Sequence, residues 1–254
     1  MADSVRRVVV TGGSGGIGRA VVCALAAEGF GVVALGRDSG RLAALEREGR
    51  AHGLDVSARV CDVTDEDAVS ATADALGPVS VLVNNAGTAT TAPLRSTGLD
   101  LWEGHLRTNA TSAFLMTRAL LPGMLDRDHG RLVYVASTAA LAGTRYTAAY
   151  TASKHAMIGL ARAVAAEVAG TGVTSNAVCP TFVRGPMTER SVARIVERTG
   201  RDRAQAEAAL ASATPLGRLL EPEEVAAAVS YFVSPMARAV NGQALTIDGG
   251  GIHR

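Results

Sequence analysis

The feature that most constrains this 254-residue chain lies near its start. The apolar run Val5–Val10 passes into Thr11-Gly12-Gly13-Ser14-Gly15-Gly16-Ile17-Gly18, and Ile17–Glu28 then repeats apolar residues at helical spacing. A strand, a glycine-rich turn and a helix in direct succession place the free N–H groups of the helix N-terminus over the turn, where they suit a pyrophosphate. Two registers fit. Gly13, Gly15 and Gly18 read as G-x-G-x-x-G, and Gly12, Gly16 and Gly18 as T-G-x-x-x-G-x-G. Glycine clusters also make plain turns, so the position in a strand–helix unit is what points to a dinucleotide.

The rest of the chain repeats the theme. Further strands are expected at Phe30–Leu35, Ser57–Val60, Val79–Asn84, Leu132–Ala136, Val173–Val178 and Ala244–Ile247. Helical patterns fall at Ser39–Arg50, Asp65–Leu76, Leu101–Leu121 and Ala148–Ala169. Strands alternating with helices imply βαβ crossovers, and continuous apolar strands imply a sheet covered on both faces. The expectation is an α/β fold of Rossmann type: a doubly wound parallel seven-stranded sheet with helices on both faces. No linker or repeat divides the chain, so residues 1–254 are read as a single dinucleotide-binding catalytic domain.

Composition excludes other classes. A formal net charge of +1 gives no electrostatic reason to expect nucleic acid or a membrane surface as partner. No apolar stretch reaches the ~18 residues of a span, and Met1-Ala2-Asp3-Ser4 does not open a signal peptide. Cys23, Cys61 and Cys179 are scattered and in no metal-ligand spacing, which fits free thiols in a reducing cytoplasm.

The second strand should select the cofactor. It ends Ala34-Leu35-Gly36-Arg37-Asp38-Ser39. A carboxylate at this strand end would bind the ribose 2′-OH of NAD, whereas an arginine favours the 2′-phosphate of NADP. Gly36 offers no side chain and Arg37 offers a planar donor fork, so NADP(H) is favoured. Asp38 is expected to cap the following helix. If it reached the ribose instead, NAD(H) would be the cofactor.

Tyr150-Thr151-Ala152-Ser153-Lys154 places a phenol and an ammonium on one helix face. A tyrosine is a poor base at its unperturbed pKa of about 10, and a fixed positive charge nearby lowers that value. Lys154 is also the one lysine among 25 basic residues, retained where a guanidinium is no substitute for a compact ammonium. Ser137 and Asn84-Asn85-Ala86-Gly87 each end a strand, where open parallel sheets bind their ligands. A serine hydroxyl there can donate to an oxygen that develops charge.

With these residues in order, the sequence resembles the short-chain dehydrogenase/reductase family in its short form. The motifs are Thr11–Gly18, Cys61-Asp62-Val63, Asn84-Asn85-Ala86-Gly87, Asn109, Ser137, Tyr150 to Lys154, and Asn176-Ala177-Val178-Cys179-Pro180. The resemblance implies that Tyr150 is the general acid/base, that Lys154 binds the nicotinamide ribose, and that Ser137 holds the substrate carbonyl. It implies that Asn109 shapes a water-linked proton path to Lys154. Gly12, Ser14, Gly15, Gly16, Ile17 and Gly18 would cradle the pyrophosphate, and Asp62 with Val63 would meet the adenine. The backbone of Asn85, Ala86 and Gly87 would line the ribose pockets, and Pro180 and Val183 would reach the carboxamide. Thr181 and Gly185 depart from the family pattern, with Thr188 as the expected compensation.

Within that family the likeness is nearest to bacterial 3-oxoacyl-carrier-protein reductases and polyketide ketoreductases, carried by Pro215-Leu216-Gly217-Arg218, Pro222-Glu223-Glu224-Val225 and Asp248-Gly249-Gly250. A ketoreductase of 3-oxoacyl thioesters or polyketide-like ketones is therefore expected, as a homotetramer. The alternatives are an NAD-dependent secondary alcohol dehydrogenase of small-molecule catabolism and a non-catalytic dinucleotide-binding regulator. The regulator would be expected to lose part of the set Asn109, Ser137, Tyr150 and Lys154. A nucleotide-sugar epimerase would usually need a longer chain. Residues 187–214 are expected to form a helical substrate lid of two helices around Thr199-Gly200, salt-bridged at the surface, with Phe182, Ile195, Val196 and Leu210 as a substrate wall.

Overall fold

The structure, a computed structural model, describes residues 6–252. Val5 and the Met1–Ser4 segment lie outside the described residues. Seven strands form one parallel sheet in the order β3-β2-β1-β4-β5-β6-β7. They are β1 (Arg7–Thr11), β2 (Gly31–Gly36), β3 (Val56–Val60), β4 (Val81–Asn84), β5 (Gly130–Val135), β6 (Val173–Pro180) and β7 (Ala244–Ile247). The helices are α1 (Gly16–Ala27), α2 (Ser39–Ala51), α3 (Glu66–Leu76), α4 (Leu99–His105), α5 (Ser112–Asp126), α6 (Ala148–Glu167), α7 (Pro186–Thr199), α8 (Arg203–Ala211) and α9 (Pro222–Val233).

The apolar strand runs are continuous because each strand feeds two cores. Val9, Leu82, Leu132 and Tyr134 join Val69, Met116 and Met157 of α3, α5 and α6 on one face. Their neighbours Val8, Val10, Val81, Val83, Val133 and Val135 join Val21, Leu25, Leu42 and Val225 of α1, α2 and α9 on the other. Successive side chains of a strand point to opposite faces, so both must be apolar when both faces are covered. The strand order reverses between β1 and β4, and the crevice at that switch point is where such sheets bind ligands.

Three sequence expectations need correction. The helix expected over Leu101–Leu121 is interrupted. α4 ends at His105, Leu106–Thr111 is π-helical, and α5 then runs to Asp126. It continues through Pro122, which lies on the exposed face, where a carbonyl that loses its helical donor can still be hydrated. Second, α9 was not anticipated as a helix, although Glu221 and Glu224 form a capping box around Pro222 in the first turn. It packs on α1. Third, strand ends shift by one or two residues from the apolar runs, as for β4, which begins at Val81 rather than Val79. Among the described residues, no helix is long and apolar enough to cross a membrane.

Candidate active site

The carboxyl ends of the strands open into a cleft of about 670 Å³, within the usual range for small-molecule sites. Its floor is the glycine-rich turn. Gly12 holds φ +64, and a Cβ on Gly18 would stand 2.2 Å from the Gly12 carbonyl oxygen, so only glycine permits this turn. The first turn of α1 has no side-chain cap, leaving its N–H groups facing the cleft. Asn85 braces the turn, its Nδ2 donating to the Thr11 and Gly12 carbonyls at 2.9 and 3.2 Å. The Thr11 hydroxyl accepts the Asn85 and Ala86 N–H groups, both at 2.9 Å. The sequence marked Thr11 only as the start of the T-G-x-x-x-G-x-G register, without this bracing role. A cradle of bare backbone and helix N–H groups fits a dinucleotide pyrophosphate.

At the β2 end, Asp38 caps α2, accepting the Arg41 N–H at 3.0 Å. Arg37 faces Asp62 at 3.9 Å, and both line the cleft with Val63. Asp62 is held below the usual carboxylate range by the Thr64 N–H and hydroxyl, with Arg37 adding to the effect. Arg41, also missed from the sequence, joins this edge of the cleft one turn into α2.

At the other end, Ser137, Tyr150 and Lys154 converge from the end of β5 and from α6. Lys154 is buried; its Nζ donates to the Val135 carbonyl at 2.8 Å and lies 5.9 Å from the Tyr150 ring centre. Burial lowers its pKa to about 8. Tyr150 is half-buried as a residue, but its phenol lies deep enough that burial raises its pKa, with Ser137 pulling partly against that shift. This corrects the expectation from the sequence. Burial outweighs the lowering influences on the phenol, while the lysine ammonium is directed at a backbone carbonyl. Cys179 beside them is pushed up to about 11 by burial and stays a neutral thiol.

The residues expected to hold the cofactor line this cleft: Gly12, Ser14, Gly15, Gly16, Ile17, Gly18, Asn85, Ala86, Gly87, Pro180 and Val183 join those described above. Asn109 does not. It is fully buried in the π-helical segment, donating to the Thr88 carbonyl at 3.0 Å and the Ser153 hydroxyl at 2.8 Å and accepting the Thr88 N–H at 2.7 Å. A Cβ on Gly87 would come within 3.1 Å of Asn109 Oδ1 and 3.6 Å of Lys154 Nζ, so Gly87 lies between them. Asn84 turns away, donating to Thr117 in the core.

α7 and α8 meet at Gly200, a left-handed C-cap, as expected. Arg203 pairs with Glu189, and Arg184 with Glu207 and Glu221, which matches the salt-bridged surface. The expected apolar wall is only partly present. Phe182 lines the cleft with Met187, Pro215 and Ile252, whereas Ile195, Val196 and Leu210 do not. The part of α7 that lines the cleft is its first two turns, up to Ser191, and no residue of α8 does. Gly185 is the N-cap of α7, and the Thr188 hydroxyl donates to the Val183 carbonyl at 2.5 Å, so it pins the loop from within.

A dinucleotide cradle at the switch point, with a serine, a tyrosine and a lysine at its far end, defines a nicotinamide-dependent oxidoreductase of the Rossmann class. The profile of the short chain dehydrogenase family matches residues 6–195, and the chain belongs to that family. It is 41% identical to the protein assigned as ketoacyl reductase 1 of the granaticin polyketide synthase of Streptomyces violaceoruber, over 95% of this chain and 91% of that one. It is 34% identical to the 3-oxoacyl-acyl-carrier-protein reductase of Vibrio harveyi, over 95% of each. A variant of actinorhodin polyketide ketoreductase solved with NADPH superposes with a TM-score of 0.94 at 35% identity, covering 98% of both chains.

Proposed function

We propose that the protein is an NADPH-dependent ketoreductase acting on a 3-oxoacyl thioester or a polyketide-like ketone. The observation that carries this reading is the convergence of Ser137, Tyr150 and Lys154 at one end of the dinucleotide cleft. The ketone would sit against the Ser137 hydroxyl, which donates to its oxygen. Tyr150 delivers the proton to that oxygen as the carbon accepts hydride. A phenol raised by burial stays protonated at neutral pH, which suits an acid in the reductive direction. A nicotinamide dinucleotide held in this cleft would supply the hydride.

Lys154 would hold the nicotinamide ribose, and Asn109 would fix Thr88 and Ser153 beside a proton path to Lys154. The turn Gly12–Gly18 would hold the pyrophosphate, Asp62 and Val63 the adenine, Asn85–Gly87 the ribose walls, and Pro180 and Val183 the carboxamide. Arg37, helped by Arg41, would take the 2′-phosphate. The α7–α8 pair would cover the substrate, and the chain would assemble as a homotetramer.

The relatives named above support the ketone and thioester assignment. The test is the loss of absorbance at 340 nm, the nicotinamide band, when purified protein and NADPH meet a panel of 3-oxoacyl thioesters, bicyclic and simple ketones. Turnover of sugars or simple secondary alcohols with NAD, and none of the thioesters, would replace this reading with the catabolic dehydrogenase.

A further inference from the structure

One wall of the cleft, residues 88–92 between β4 and α4, carries Ala89, Thr90 and Thr91 along its lining. Its backbone is fastened by groups from four places in the fold. Asn109 brackets Thr88 on both sides. The Thr90 N–H donates to His105 Nε2 at 3.0 Å. Arg194 of α7 donates to the Thr91 carbonyl at 3.0 Å. The Ala92 N–H donates to the Tyr146 carbonyl at 2.9 Å, and Tyr146 holds φ +66, a left-handed conformation that tyrosine adopts only under constraint.

His105 is the unusual member of this set. It is 1% exposed, at the end of α4. Its Nδ1 lies 2.8 Å from the Leu101 carbonyl, which can only accept, so Nδ1 carries the proton. Its Nε2 meets an amide that can only donate, so the lone pair lies there. Two backbone partners therefore specify one neutral tautomer. The ring also stands edge-on to Tyr150, with centroids 6.3 Å apart and planes at 77°. One side chain thus bears on the midpoint of the cleft wall and on the ring of the reacting phenol. Packing alone would be served by an aliphatic residue; the histidine adds an acceptor for Thr90.

We infer that His105 is a positioning residue for the ketone. Held as the Nδ1–H tautomer, it sets how closely Thr90 and Thr91 approach the substrate beside Tyr150, and it touches no reacting atom itself. The kinetic side of this inference rests on the ketoreductase reading; the structural side does not.

Two variants test it. His105→Leu removes the acceptor and keeps apolar volume, while His105→Gln places an amide oxygen where Nε2 stood. Leaving a buried N–H without its acceptor should raise KM for the ketone ~10-fold or more in the leucine variant. The kcat should fall less than KM rises, NADPH binding followed by its fluorescence should be unchanged, and the glutamine variant should recover most of the loss. Amide hydrogen exchange over residues 88–92 is the second readout. Exchange at Thr90 should accelerate ~10-fold in the leucine variant and return toward wild type in the glutamine variant. Wild-type exchange and KM in the leucine variant would overturn the inference. Equal impairment of both variants would also overturn it, because the role would then be packing. A wild-type protein that reduces no ketone would defeat the functional reading alone, and the exchange comparison would still decide the role of His105.

Discussion

If the end of β2 sets cofactor choice, as proposed above, exchanging Gly36 and Arg37 should reverse it. The structure leaves room for the change. A Cβ on Gly36 would meet Ser14 Oγ at 3.5 Å and Leu42 at 3.6 Å, ordinary contacts, so Gly36→Asp can be built without displacing backbone. A charge-assisted hydrogen bond to a 2′-phosphate contributes roughly 1.5–3 kcal/mol. The Arg37 side chain is 76% exposed, so solvent screening should reduce its share to about 1 kcal/mol. Arg41, whose guanidinium lies 3.4 Å from the Asp38 carboxylate, should add a smaller share. Together they imply a wild-type preference for NADPH of ~10–100-fold in kcat/KM. Asp38 lines the same edge of the cleft, with its carboxylate drawn into the α2 cap by the Arg41 N–H and guanidinium. Arg37→Ala alone should lower the preference ~5–10-fold, and Gly36→Asp with Arg37→Ala should invert it by adding both repulsion and a ribose acceptor. The assay is the ratio of kcat/KM for NADPH and NADH with one ketone. A wild-type ratio at or below one would refute the argument and give Asp38 the deciding role.

Other outcomes follow from the same geometry. Tyr150→Phe should retain NADPH binding by fluorescence yet lose ~10²–10⁴-fold in kcat, and half-normal turnover would remove Tyr150 from the reaction. Lys154→Arg should fail in turnover although it keeps the charge, because a planar fork cannot reproduce the compact ammonium that donates to the Val135 carbonyl and contacts Met157; near-normal kinetics would count against its role. Lys154 also predicts a pH effect on stability. Its pKa falls from 10.5 in the unfolded chain to about 8 in the fold, so the unfolded state binds more protons between those values and wild-type stability should rise with pH across that window. The gain relative to Lys154→Met should be on the order of 3 kcal/mol in chemical unfolding, and parallel pH curves for the two proteins would contradict it. Asp38→Ala should cost about 1 kcal/mol of stability through loss of the α2 cap and should not weaken the NADPH preference. Light scattering should give a tetramer, favoured by the exposed Trp102 and Phe114 on α4 and α5, and a single 26.0 kDa species would exclude it.

Local chemistry wrote much of this protein into its sequence. The turn needs glycine where a Cβ would strike backbone, the strands need apolar residues on both sides, and Tyr150 and Lys154 need one helix face. All three requirements act over a few residues, so periodicity and spacing reveal them. Asp38 belongs to the same class, since a helix cap is a contact three residues long.

Tertiary structure decided what depends on distant partners. The interruption of the helix at Leu106–Thr111 is not visible as a pattern, because it serves Asn109, whose partners Thr88 and Ser153 lie 21 and 44 residues away. His105, Arg194 and Tyr146 look like ordinary helix and loop residues until the fold brings them to the 88–92 segment. The direction of the Tyr150 shift was also hidden. Spacing places a cation on the same helix face, but only the packed structure shows that the ammonium is directed at the Val135 carbonyl while burial, acting on both groups, raises the phenol and lowers the lysine. Desolvation depends on everything that surrounds a group, so a linear spacing cannot supply its sign.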